Sequence, residues 1–212
     1  MNTGILWDMD GTLLDTLEDL TDAINYALAQ FGYPQRTVEE VRRFVGNGAR
    51  RLVTLAVPDG VDADAVLRVY LDYYDTHCQI KTGPYAGIPE ALEQLSRKYP
   101  MAVVSNKPDS AVRNLGAQYF PALFACGEGA GCPRKPAPDL LFKAMKAIGV
   151  ETCVYVGDSE VDVLTAQNAG VPCLSVLWGF RDRDEIEAAG GQHFCAHPCE
   201  LTEKLEELIN GK

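Results

Sequence analysis

Leu17, Leu20, Ile24, Leu28 and Phe31 fall three and four residues apart, a spacing that puts them on one face of a helix ending near Gly32 and Pro34. A second helical stretch over 38–45 runs into "GNG" at 46–48, and a third resumes through Leu52 and Leu55. A fourth, from 63 to about 78, carries Leu67, Tyr70, Leu71 and Tyr74 on its apolar side. Gly83, Pro84 and Gly87 then punctuate the chain as a linker does.

Beyond the linker the pattern changes to short apolar runs alternating with helical ones. Helices are predicted over 89–98, 108–115, 138–148 and 161–169, and strands over 101–104, 123–125, 153–156 and 173–176. That alternation implies right-handed crossovers and a parallel sheet covered on both faces. The opening run near 4–8 belongs with these strands. The expected architecture is a doubly wound α/β core, residues 1–15 and 84–212, interrupted by a helical insertion at 16–83.

A chain of 212 residues with 47% hydrophobic positions has enough apolar material for such a core. Its formal charge of −11 opposes nonspecific binding to nucleic acid or to an anionic membrane. No charged-then-apolar leader and no long apolar run is present, so the expectation is a cytoplasmic protein, monomer or homodimer. Seven scattered cysteines read as reduced residues, several of them in apolar runs. In "HFCAHPC" the residues His193, Cys195, His197 and Cys199 alternate as zinc ligands can, yet one strand cannot wrap four ligands around an ion. The preferred reading there is a last strand turning into a final helix.

In open α/β sheets, ligands bind beyond the carboxyl ends of the strands, which makes strand ends a filter for chemistry. The first strand ends in "DMDGT", where Asp8 and Asp10, two apart on extended chain, share one side. Other predicted strands lead into Ser105, Asn106 and Lys107, into "RKPAPD" with Lys135, and into Gly157, Asp158 and Ser159. A calcium loop is the competing reading of "DxDG", but Thr12 stands where its third carboxylate belongs and no glutamate closes it. Carboxylates facing a phosphate require a cation, and an oxygen-only donor set suits Mg²⁺, with Asp8 and Asp158 as its carboxylate ligands. Ser105, Lys135 and the backbone N–H groups of Gly11 and Asn106 are placed to hold phosphoryl oxygens. Asp8 can then attack phosphorus, while Asp10 serves as general acid and base.

"DMDGTLLDT", "VVSN", "KPAPD" and "GDSEVDVLTAQNAG" resemble, in order and spacing, the four motifs of the haloacid dehalogenase superfamily. The resemblance implies a Rossmann-like core, a helical cap inserted after the first motif, Mg²⁺ and an aspartyl-phosphate intermediate. Asp8 then stands as nucleophile and metal ligand, and Asp10 as acid/base whose carbonyl also binds the metal. Thr12 is in the place that orients Asp10, Ser105 and Lys135 in those that bind phosphate, Asp158 in that of a metal ligand, and Asp162 in that of a carboxylate behind the ligands. Asp10 sets the chain apart from the family's dehalogenases and phosphonatases, and Leu20 stands where its hexose-phosphate mutases carry a cap histidine. "VGNGARRLV" is similar to the cap segment of phosphoglycolate phosphatases, which makes Gly46, Asn47, Arg50 and Arg51 candidates for reading a substrate carboxylate. A small phosphorylated metabolite is the expected partner, with pyrophosphatase, sugar-phosphate phosphatase or phosphomutase chemistry and a noncatalytic binding protein as alternatives.

Overall fold

The structure, a computed structural model, describes residues 2–129 and 131–211. Six parallel strands form the central sheet: β1 (Thr3–Trp7), β4 (Met101–Pro108), β5 (Phe124–Glu128), β6 (Thr152–Gly157), β7 (Cys173–Val176) and β8 (His193–Cys195). Their order is β5-β4-β1-β6-β7-β8. The chain runs outward from β1 through β4 and β5 on one side, then returns to add β6, β7 and β8 on the other. The order therefore reverses at β1, and the crevice at a reversal point is where such sheets bind ligands.

Apolar runs in these strands follow from burial on both faces. Ile5 and Trp7 of β1 enter one core with Val103, Val154 and Val156, whereas Leu6 enters the other with Ala102, Val104 and Tyr155. The first face is covered by α5 (Ile88–Ser96), α6 (Asp109–Tyr119) and α10 (Leu201–Asn210); the second by α7 (Asp139–Ile148) and α8 (Glu160–Ala169). A short α9 (Arg183–Ala188), not expected from the pattern, opens with a capping box between Asp182 and Glu185. The "HFCAHPC" segment supplies β8 and a 3-10 turn at Pro198–Glu200; in it Cys195 is buried and Cys199 exposed.

The helical insertion consists of α1 (Leu17–Gln30), α2 (Val38–Phe44), α3 (Gly48–Ala56) and α4 (Ala63–His77). Its two connections to the sheet run side by side: β2 (Leu14–Asp15) pairs antiparallel with β3 (Gly83–Pro84). Asp19, buried in the first turn of α1, accepts the backbone N–H groups of Lys81 and Thr82 at 2.9–3.0 Å. A carboxylate on one connection thus satisfies the backbone of the other.

Candidate active site

Asp8 leaves β1 with its N–H bonded to the Val156 carbonyl at 2.8 Å, so the sheet ladder itself aims the residue out of the strand end. The chain then turns sharply, the Met9 carbonyl accepting the N–H groups of Thr12, Leu13 and Leu14. Gly11 sits in this turn at φ 78°, and a Cβ there would collide with the Asp158 carboxylate. Asp158, at the end of β6, accepts from the Thr12 hydroxyl at 3.1 Å and from the Phe180 N–H at 2.7 Å. The segment that follows β7 is drawn over it, with Trp178 donating to the Thr12 carbonyl at 3.0 Å and Gly179 leaving no room for a Cβ beside Asp158.

Lys135 is the hub. Its ammonium is almost wholly buried and lies 2.9 Å from Asp8, 2.8 Å from Asp162 and 2.8 Å from the Tyr155 hydroxyl. Burial alone would lower its pKa, but Asp162 and Asp8 more than offset this and hold it well above the ordinary lysine range. Asp162 is fully engaged: its second oxygen accepts the Ser159 N–H and hydroxyl and so caps α8. Asn106 fixes the Lys135 backbone from both sides, accepting its N–H at 2.8 Å and donating to its carbonyl at 3.0 Å.

Oxygens of Asp8, Asp158 and Asp162 lie within 4.8 Å of one another, all buried. Burial pushes the Asp8 carboxyl up to about 7, with Lys135 pulling it down and Asp162 and Asp10 adding to the rise. Asp158 is raised as well, by burial first and then by Asp162 and Asp8. Lys135 pairs with two of these three carboxylates, Asp8 and Asp162. Asp8 Oδ1, despite its ion pair with Lys135, has no aligned hydrogen-bond donor among the described residues.

The site opens into a cleft between the strand ends and the helical insertion. Asp8, Asp10, Ser105, Lys107 and Asp158 line the sheet side; Leu20, Val45, Gly46, Ala49, Leu52 and Tyr70 line the helical side. Arg181 bridges the two, donating to the Arg42 and Val45 carbonyls at 2.9 and 2.6 Å while its Nε pairs with Glu160 at 3.1 Å.

A family model of haloacid dehalogenase-like hydrolases matches residues 5–176. The chain belongs to that family. It is a hydrolase of phosphoric monoesters resembling the phosphoglycolate phosphatases. Phosphoglycolate phosphatase 1 of Pseudomonas aeruginosa is 36% identical over 83% of this chain and 70% of its own. The phosphoglycolate phosphatase of Mesorhizobium japonicum is 33% identical over 95% of both. A Lactobacillus delbrueckii subsp. bulgaricus crystal structure, of a protein proposed to be a phosphoglycolate phosphatase, superposes with a TM-score of 0.90 at 38% identity, covering 97% of this chain and 99% of its own.

In this haloacid dehalogenase-like hydrolase the structure gathers Asp8, Asp10, Ser105, Lys135, Asp158 and Asp162 at one sheet edge, as the motifs imply. Three details differ from the sequence reading. Thr12 donates to Asp158 rather than to Asp10. The Gly11 N–H bonds the Leu14 carbonyl, so that glycine contributes room rather than a phosphate donor. The Asn106 side chain, as distinct from the backbone N–H named in the sequence reading, serves Lys135 and the Gly46 carbonyl and leaves that expectation standing. Arg50 and Arg51 are exposed, Arg50 pairing with Asp64 at 2.5 Å, because Ala49, Leu52, Val53 and Ala56 set the inward face of α3. Asn47 stays outside the cleft, its carbonyl accepting from Arg134 at 3.0 Å; only Gly46 of that quartet lines it. Sequence reading gave no role to Lys107, Tyr155, Arg181 or Asp19, none of which lies in the part of a motif that defines the family.

Proposed function

We propose that the chain hydrolyses a short phosphomonoester, 2-phosphoglycolate foremost, with Mg²⁺ and through an aspartyl phosphate on Asp8, beneath a cap formed by residues 16–83 over a core of 1–15 and 84–212. The observation that carries this reading is the charge imbalance at the strand ends: three buried carboxylates cluster around one ammonium, Lys135, which pairs with Asp8 and Asp162 but not with Asp158. Buried unpaired carboxylates are costly, and a hard divalent cation with oxygen ligands offsets both them and the phosphoryl dianion. Asp8 Oδ1 and the Asp158 carboxylate, with the Asp10 carbonyl, are the donors that fit it. Asp162, its oxygens engaged by Lys135, Tyr155 and Ser159, stands behind them.

Lys135 and Ser105 orient the phosphoryl oxygens. An Asp8 oxygen attacks phosphorus, the ester P–O bond breaks, and the Asp10 carboxyl gives its proton to the leaving alkoxide. Asp10, now a carboxylate, takes a proton from the water that attacks the acyl phosphate; inorganic phosphate leaves and Asp8 is regenerated. The apolar helical side of the cleft excludes other water during these steps.

The test separates the two aspartates. Asp8→Asn should form no covalent intermediate, whereas Asp10→Asn should slow turnover by about a hundredfold or more while phosphoenzyme becomes trappable. Mass spectrometry of quenched reactions should place the phosphoryl group on the peptide containing Asp8. Its appearance elsewhere, or turnover by Asp8→Asn, overturns the mechanism. Release of phosphate across a panel of small phosphoesters ranks 2-phosphoglycolate against the others.

A further inference from the structure

Lys107 follows Ser105 by two residues near the end of β4, and both line the cleft. Its ammonium is buried, lying 2.7 and 2.9 Å from the two oxygens of Asp10 and 4.7 Å from the centroid of the Tyr74 ring. Among the described residues those two contacts with Asp10 are its only hydrogen bonds. Arg181, the other cation on the cleft, has its donors committed to the Arg42 and Val45 carbonyls and to Glu160. Side chains contributed by the helical insertion, Leu20, Val45, Ala49, Leu52 and Tyr70, carry no charge.

We propose that Lys107 is the specificity-determining residue for an anionic leaving group, its ammonium receiving a carboxylate carried next to the ester carbon of the substrate. This rests on the phosphatase reading above and gives the carboxylate-recognition role to a core residue in place of Arg50 and Arg51.

The geometry supplies a length limit. An ester oxygen hydrogen-bonded to Asp10 and the Lys107 ammonium flank the same carboxyl group, which places them roughly 5 Å apart. A carboxylate one carbon from the ester oxygen spans that gap and still reaches Nζ, whereas a long or bulky acid meets the apolar helical wall. The ammonium then sits between two acids, the Asp10 carboxyl group and the carboxylate of the substrate. The ring face of Tyr74 lies under the ammonium itself, so the charge is held in place before substrate arrives.

The experiment compares 2-phosphoglycolate with 2-hydroxyethyl phosphate, which replaces the carboxylate by a neutral hydroxymethyl group of similar size. For Lys107→Met, the ratio of kcat/KM for the acid to that for the neutral ester should fall by about tenfold or more, carried mainly in KM. Lys107→Arg, which keeps the charge, should retain most of the ratio even where both rates fall. Because Lys107→Met leaves Asp10 without its partner, the ratio is read only on protein whose circular dichroism melt remains cooperative, and Lys107→Gln replaces it otherwise. Equal losses on both esters would confine Lys107 to holding Asp10 and overturn the proposal, as would a wild-type enzyme that does not distinguish an acid from its neutral isostere. Preference for a different short phospho-acid would remove only the choice of phosphoglycolate, the lysine test then being run on that acid.

Discussion

Replacing Lys135 by methionine keeps an unbranched apolar chain as far as Cε and deletes the one positive charge among Asp8, Asp162 and the Tyr155 hydroxyl. The lysine is wholly buried, so water cannot substitute for the lost ammonium. Removing one partner of a buried ion pair typically costs about 3–5 kcal/mol. At about 2–4 °C per kcal/mol for a chain of this size, metal-free Lys135→Met should melt about 6–20 °C below wild type at pH 8. The same arrangement fixes how the deficit varies with pH. Burial already pushes the Asp8 carboxyl up to about 7 with the lysine present, and without it the carboxyl rises further, so by pH 5 Asp8 holds a proton and no longer needs the lost partner. The difference between variant and wild type should therefore shrink on acidification. Adding Asp162→Asn to Lys135→Met should recover part of the loss by removing one unpaired charge. Differential scanning calorimetry in chelator at pH 5 and pH 8 reads all of these. A Lys135→Met melt within 2 °C of wild type at pH 8, or a deficit that grows on acidification, would refute the hub role.

Two further expectations follow from the same geometry. In chelator, wild-type stability should decline as pH rises between about 4 and 7, because folded Asp8 holds its proton up to about 7 against an ordinary 3.8; Mg²⁺ should raise the melting temperature more at pH 8 than at pH 5, and an equal shift at both would contradict it. Arg181→Met removes buried charge-assisted bonds to the Arg42 and Val45 carbonyls, so urea unfolding should show a loss of about 1.5–3 kcal/mol or more, with KM raised more than kcat is lowered; an unchanged midpoint would show the bridge to be idle.

Periodicity carried the architecture because the central strands, buried on both faces, read as short unbroken apolar runs, whereas the helices carry apolar residues three and four apart on one face. Elements without that signature escaped: α9 holds one buried residue, Ile186, and β2 and β3 are two residues each, defined by pairing across the chain rather than by local sequence. At the site, Asp8, Asp10 and Asp158 were legible because strand ends converge by topology. Lys107 was not, since nothing local shows that its ammonium turns back onto Asp10 across 97 positions of chain. Arg50 and Arg51 lie outside the cleft for a reason the sequence did contain: Leu52, Val53 and Ala56 are the buried residues of that helix, Ala49 turns toward the cleft, and the two arginines lie off that face.

Gly11, Gly157 and Gly179 bring neither charge nor hydrogen-bonding side chain to the reaction, yet a methyl group added at the first or third would overlap the Asp158 carboxylate, and one at Gly157 would overlap Asp162. In an alanine scan these positions would therefore score like catalytic residues, although what they protect is empty space. Kinetic data alone would not tell a missing functional group from a displaced one. Binding of Mg²⁺ would, since on the proposed assignment a methyl wedged against Asp158 displaces a ligand while Asp8 and Asp10 stay in place. Tolerance to mutation in this site is bounded as much by volume as by function, and its most constrained positions include three with no side chain at all.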